Sequence, residues 1–204
     1  MLDMIGGGQS AARALPSRRL SRAALRPPLK RAIDVAGAAA LLFSLAPALV
    51  LVSLLLWAGG GPVLVARRRV VGRGGREFGQ LAFRVPAEET NGRLRPTGLG
   101  RVLRRTGLDE VPLLLNVLRG DMSLVGPRPV ARDELDRCYA LFGGAAAYLS
   151  VRPGLVGPGR DGDLGARERV ALDAAYARAP SLRADLAILA RTLGGAALGR
   201  PAAR

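Results

Sequence analysis

The chain has 204 residues, enough for one domain with a core of its own or a small domain with attachments. Its formal net charge is +15, and Lys30 is the only lysine, so almost all of the positive charge is arginine. The lack of histidine excludes His-based triads, His general bases and His metal ligands, the single cysteine, Cys138, excludes an intrachain disulfide or a zinc cluster, and the single lysine excludes a Gly-Lys-Ser/Thr phosphate loop. Carboxylates, arginines, hydroxyls and backbone amides remain for chemistry, with a divalent cation as a further option. A chain this basic seeks phosphates on nucleic acid, on an anionic membrane surface or on phosphorylated small molecules.

Residues 1–29 are rich in Gly, Ala, Ser, Pro and Arg without an apolar period, and read as a flexible basic leader. Residues 35–58, VAGAAALLFSLAPALVLVSLLLWA, are uncharged and long enough to cross a bilayer. Two membrane readings compete, one crossing helix or a re-entrant hairpin, with a buried soluble-core helix as a third. Basic residues flank both ends, Lys30 and Arg31 before and Arg67, Arg68 and Arg69 after, whereas a crossing helix keeps its positive charge on one side. Pro47 lies near the middle, where it removes a backbone hydrogen bond and favours a kink. Each half is about 18 Å long, roughly one leaflet.

The Gly59-Gly60-Gly61-Pro62 run ends the helix. Short strands are predicted at VLVA (63–66) and FGQLAFRV (78–85), joined across the glycines at 72–75. Residues 86–96 read as a polar loop, 101–106 as a short basic helix and 108–118 as an amphipathic helix with Asp109 and Glu110 in its first turn. A helix over 130–142, an irregular Gly/Pro loop over 152–165 and helices over 166–179 and 181–193 complete the chain. The fold class expected is α+β, mainly α.

The adjacent carboxylates are the chemical focus. Acidic residues at a helix start favour the positive end of the helix dipole without further purpose. Here Arg101, Arg104, Arg105, Arg119 and Arg128 lie close in sequence, and a carboxylate among arginines can ligate a cation or attack phosphorus. Neighbours on a helix point about 100° apart, so the natural division is one nucleophile and one helper. The Val-Gly-Pro-Arg-Pro stretch fixes its backbone around Arg128, which can be a plain turn or a pre-positioned phosphate grip.

The order of motifs resembles the bacterial sugar transferases, the small monotopic phosphoglycosyl transferases. The resemblance runs from Lys30 to about residue 193: KRAIDVAG before an apolar run with a central proline, then GPVLVARRRVVGRGGREF, AFR, LRRTGLDEVPLLLNVLRGDMSLVGPRP, VRPGLVG and YARAPSLRADLAILART. It implies a re-entrant helix–break–helix over 30–58, broken at Pro47. A small catalytic domain over 59–193 would follow, with a short β-hairpin and amphipathic surface helices, then a tail over 194–204. It implies transfer of a sugar-1-phosphate from a nucleotide sugar, usually a UDP-sugar, to a polyprenyl phosphate at the cytoplasmic leaflet of the bacterial inner membrane. Asp109 falls on the nucleophile that would carry a covalent phospho-sugar, Glu110 on its partner, and Mg²⁺ is the implied cofactor, with Asp109 as its ligand. Arg104, Arg128 and Arg84 fall on phosphate-contacting positions. A homo-oligomer is compatible with the resemblance, and nucleic acid is not expected, since aromatics for base stacking are only 4% of the chain.

Several positions depart from the family pattern: Ala46 for Ser before the central proline, Ala82 for Lys, Arg68-Arg69-Val70-Val71-Gly72 for Gln-x-Arg-x-Gly, Leu113 for Gln, Val156 for Thr and Asp163 for Arg. They bear on donor choice, and they motivate an alternative in which the chain is a catalytically weakened homologue serving as a membrane-bound scaffold.

Overall fold

The computed structural model describes residues 28–60, 62–90, 93–158 and 164–197. Nearly all of the expected leader, the Asp163 position and the end of the expected tail fall outside these residues.

Helix α1 (Pro28–Ala58) is built from Ala, Leu and Val, with Pro28 in its first turn, where a missing N–H costs nothing. The helical assignment continues through Pro47, so the expected helix–break–helix is one 31-residue helix here. It ends where Gly60 takes the left-handed region at φ 71°. One stripe faces the rest of the chain: Ala38, Val52 and Leu56 are buried at separations close to whole helical turns. The remaining surface is apolar and open, with Phe43 84% and Trp57 72% exposed. Among the described residues this is the one helix long and apolar enough to cross a membrane.

Both ends of α1 are fastened to the domain that follows. At the start, Lys30 Nζ donates to Asp185 Oδ2 at 2.7 Å, and Asp34 accepts from Ser123 Oγ (2.7 Å) and the Leu124 amide (3.2 Å). Arg31 caps two late carbonyls of the helix carrying Val117 and Leu118, at 2.7 and 3.1 Å. At the other end Val52 and Leu56 pack with Phe83 and Leu103, while Arg84 Nη2 donates to Leu56 O at 3.2 Å and to Gly60 O. These bonds satisfy carbonyls that the last turn of a helix leaves without partners.

Strands β1 (Leu64–Val71) and β2 (Glu77–Phe83) form the expected antiparallel hairpin around a 3₁₀ turn at Arg73–Gly75. Its ladder skips one residue, because Ala66 opposes Leu81 and Arg68 opposes Gln80, leaving Arg67 as a β-bulge. The expected polar loop at 86–96 is instead a second hairpin, β3 (Ala87–Thr90) with β4 (Arg93–Pro96). Polar strands of four residues carry no apolar alternation that would reveal them.

Helix α2 (Gly98–Thr106) starts at an N-cap, Thr97 Oγ1, which accepts from the Gly100 amide at 3.2 Å, and ends at Gly107 with φ 73°. The single helix expected over 108–118 is divided. Leu108–Glu110 is a 3₁₀ turn, and helix α3 (Leu113–Arg119) begins only after Pro112, whose ring lacks the amide needed to continue a helix. Strand β5 (Ser123–Val125) pairs in parallel with β6 (Gly154–Val156), a pairing inside what the sequence presents as irregular loops. A Cβ on Gly126 would lie 2.5 Å from Arg152 O and 2.8 Å from Gly154 N, so only glycine permits this approach.

The helix expected over 130–142 opens as α4 (Arg132–Glu134) and widens into a π-helical segment, Leu135–Tyr139. Helix α5 (Ala145–Ser150) has no counterpart among the predicted elements, and α6 (Ala166–Arg178) and α7 (Leu182–Ala197) occur where two helices were expected. A core of Val71, Val130, Leu135, Tyr139, Tyr148 and Val170 joins the hairpin to these helices. The molecule is thus mainly helical with small sheets, as the composition and pattern implied.

Candidate active site

The acidic pair stands where α2 ends. Gly107 reverses the chain, and the 3₁₀ turn then points Asp109 inward while Glu110 stays partly exposed. Asp109 is fully buried at 0% exposure. A carboxylate in that setting needs a partner, because burying an unpaired charge is far more costly than the pairing returns. Arg67 is that partner: its Nη1 donates to Asp109 Oδ2 at 3.0 Å and lies 3.6 Å from Glu110 Oε1. The β-bulge is the local cause, since an extra residue in one strand re-aims its side chain out of the regular alternation. Asp109 Oδ1 is buried and has no hydrogen-bond partner among the described residues.

Asn116 braces the turn that follows. Its side chain accepts from the Leu81 amide at 2.9 Å and donates to Gly79 O at 2.9 Å, tying α3 to the middle of β2. Pro112 and Leu115 then line an apolar groove of about 360 Å³ with Leu42, Leu49 and Ser53 of α1 and Val63, Leu64 and Phe83. The groove thus lies beside the stretch of α1 around Pro47 and is lined also by Pro112, two residues after Glu110 in the chain.

The three arginines implied as phosphate contacts lie in different surroundings. Arg104 is exposed in the last turn of α2. Arg84 is occupied with the C-terminal carbonyls of α1, and its Nε is buried without a partner. Arg128 sits on the strap after β5, half-buried, where its charge and backbone amide act on Asp173. Among the described residues, the guanidinium hydrogen-bonded to Asp109 is that of Arg67.

Asp173 is a second buried carboxylate, at 0% exposure, and accepts from the Tyr139 hydroxyl at 2.5 Å. Burial pushes its carboxyl up to about 6, opposed by the Tyr139 hydroxyl, the Arg128 amide and the charges of Arg169 and Arg128. Its Oδ1 has no well-aligned hydrogen bond, although the Arg128 amide lies near enough to favour the ionised form. Tyr148 lies edge-on to Tyr139, with ring centroids 5.1 Å apart. The Tyr148 hydroxyl donates to Val71 O (2.8 Å) and accepts from the Val130 amide (3.2 Å), holding the far end of the Arg128 strap against β1.

Sequence reasoning missed Arg67, Asn116 and Asp173. Arg67 was grouped with Arg68 and Arg69 as the basic flank of the apolar segment, and nothing in three consecutive arginines reveals which one a bulge will turn inward. Asp173 lay in a helix with no local sign that its face would be covered. Of the departing positions, Ala82 is buried opposite Val65, Leu113 belongs to the core under α1 and Val156 is part of β6.

The site thus holds a buried carboxylate with a guanidinium on one oxygen and an adjacent, partly exposed second carboxylate. The family model for bacterial sugar transferases matches residues 25–198, and the chain belongs to that family of enzymes. It is 37% identical over 201 residues to the exopolysaccharide production protein ExoY of Rhizobium meliloti, covering 84% of this chain and 86% of that protein. It is 40% identical over 182 residues to the UDP-glucose:undecaprenyl-phosphate glucose-1-phosphate transferase of Caulobacter vibrioides, covering 80% of this chain and 68% of that protein. Identity to the undecaprenyl-phosphate galactose phosphotransferase of Salmonella typhimurium is 34% over 192 residues, 80% of this chain but 39% of that longer protein.

Proposed function

We propose that the chain transfers a sugar-1-phosphate from a nucleotide sugar, of the UDP class, to a polyprenyl phosphate at the cytoplasmic face of the bacterial inner membrane, opening the assembly of a polysaccharide or glycoconjugate. The observation that carries this reading is Asp109: a fully buried carboxylate, ion-paired on Oδ2 and unpartnered on Oδ1, in a chain of this family. In the first half-reaction a carboxylate oxygen of Asp109 attacks the phosphorus that bears the sugar. The new O–P bond replaces the bond to the bridging oxygen, whose electron pair leaves with the nucleoside monophosphate. In the second, an oxygen of the polyprenyl phosphate attacks the same phosphorus, the Asp109 O–P bond breaks and the carboxylate is restored. Charge balances in both steps without a proton donor, which suits a chain without histidine.

Nucleophile and target are both anionic, so the protein must supply positive charge. Arg67 supplies it at the carboxylates. No group of three or more His, Cys, Asp and Glu side chains suited to a metal occurs among the described residues. The adjacent carboxylates of Asp109 and Glu110, both within reach of Arg67, fit instead the mode in which Mg²⁺ takes one or two carboxylates and completes its shell with substrate phosphate oxygens. Bound there by Asp109, the ion would neutralise charge on the transferring phosphoryl group.

The membrane placement rests on α1. At 1.5 Å per residue this 31-residue helix is about 46 Å long, yet both of its ends are fastened to the same domain. A helix crossing a bilayer carries its far end to the opposite side. One tied at both ends to one domain suits a re-entrant or monotopic placement, with the residues around Pro47 deepest in the lipid. The basic residues flanking both ends of its apolar stretch support the same reading.

The experiment is release of nucleoside monophosphate from a panel of UDP-sugars by membranes containing the protein, with polyprenyl phosphate and Mg²⁺. Release with one donor, absent in Asp109→Asn, is the expected result. No release from any donor by protein shown to be folded in the membrane favours the weakened homologue, whose physical basis is the buried, uncharged Ala82.

A further inference from the structure

Arg67 has a geometry that a plain counter-ion does not require. One nitrogen, Nη1, serves both carboxylates, at 3.0 Å from Asp109 and 3.6 Å from Glu110. A guanidinium has five N–H donors in a rigid fork, so most of its donors remain for another acceptor. Its side chain is 40% exposed while that of Asp109 is 0% exposed, so the ion pair links a buried carboxylate to a side chain that solvent can reach. Backbone strain is not needed to hold it there, because the bulge at Arg67 already turns it off the regular ladder.

Resting on the transferase reading above, we infer that Arg67 is a catalytic residue that bonds the donor's transferring phosphate and Asp109 at the same time. One edge of its guanidinium fixes Asp109 Oδ2, and the other donates to oxygens of the phosphate that bears the sugar. This bridge brings two anions together across one cation, and it assigns the attack to Oδ1, the oxygen that has no partner. The bond formed is Asp109 Oδ1 to phosphorus, and the bond broken is phosphorus to the oxygen of the departing nucleoside monophosphate. Arg67 exchanges no proton in this step. The planar fork matters as much as the charge, because a lysine at the same place offers a point charge without two divergent donor edges.

The test uses the full-length protein in detergent or nanodiscs with UDP-glucose and UDP-galactose labelled in the phosphate attached to the sugar. Covalent labelling of the protein is followed in a single turnover without acceptor, across donor concentrations. Arg67→Gln is compared with Arg67→Lys and with Arg68→Gln, which removes the same charge from the next residue of the strand but takes it from an exposed pair with Glu134. Arg67→Gln is expected to lose about a hundredfold in labelling rate at saturating donor and to need more donor to saturate, the size typical of removing one preorganised donor from a charge-developing centre. Arg67→Lys is expected to recover part of that loss, and Arg68→Gln to stay within about threefold of the parent protein. Equal losses in Arg67→Gln and Arg68→Gln overturn the inference, as does an Arg67→Gln rate within threefold of the parent. If Arg67→Gln does not fold, Arg67→Lys carries the test: a rate equal to the parent's overturns the bridge. Failure of the parent protein itself to label or to release nucleoside monophosphate from either donor counts against the transferase reading, not against Arg67 specifically.

Discussion

Asp173→Asn isolates the cost of holding a buried charge. Asp173 faces the Tyr139 hydroxyl, the Arg128 amide and the charges of Arg128 and Arg169, and burial still outweighs them, raising its carboxyl from 3.8 to about 6. Between these two values the folded protein binds a proton that the unfolded chain has already released, so stability falls as the pH rises through this window. The full penalty, present above about pH 7, is about 3 kcal/mol at 1.36 kcal/mol per decade of acidity. Burial and the Asp173 charge push the Tyr139 phenol far up, so it remains a neutral donor across the experiment. Asparagine keeps an oxygen for that donor and removes the charge. In thermal unfolding of the solubilised protein, Asp173→Asn should gain little over the parent near pH 4.5, where only about a third of the penalty is present. At pH 8 it should melt higher, by about 6–12 °C for a chain of this size if the whole penalty is relieved. A difference that stays constant from pH 4.5 to 8, or an asparagine variant that melts lower at pH 8, refutes the reasoning.

Asn116→Ala removes both bonds between α3 and β2 and leaves the Leu81 amide and Gly79 carbonyl without this partner. The expected loss is about 2–4 kcal/mol, read as a lower midpoint in a denaturant titration. Gly126→Ala places a methyl group 2.5 Å from Arg152 O, where only backbone can yield. It should prevent the β5–β6 pairing, seen as loss of protease resistance at 123–157, whereas Gly98→Ala, with open space around it, should leave the digestion pattern unchanged.

What the sequence disclosed depended on the range of the interactions. The apolar segment, the β1–β2 hairpin and the helices α6 and α7 are written in local periodicity and breakers, and they occur where expected. The β5–β6 pair joins strands some 30 residues apart through glycines chosen for close backbone approach, and no local pattern encodes it. The helix expected over 108–118 shows the opposite failure: its apolar period is real, but Pro112 divides it and moves Asp109 from a helix start onto a 3₁₀ turn. The acidic pair was legible because two carboxylates stand out among arginines. Its cation was not, because the inward turn of Arg67 comes from a register shift between β1 and β2. The same holds for Arg84, whose observed partners, the carbonyls of Leu56 and Gly60, exist only once α1 folds back against β2.

The central claim is that Asp109 carries the phospho-sugar, and peptide mass mapping tests it most directly. Purified protein is incubated with a UDP-sugar and Mg²⁺ without acceptor, quenched and digested. The account predicts one hexose-phosphate adduct on the peptide containing Asp109, discharged on adding polyprenyl phosphate and absent from Asp109→Asn. Nucleoside monophosphate released only when the acceptor is present, with no adduct at any time, or an adduct on a different residue, would contradict it.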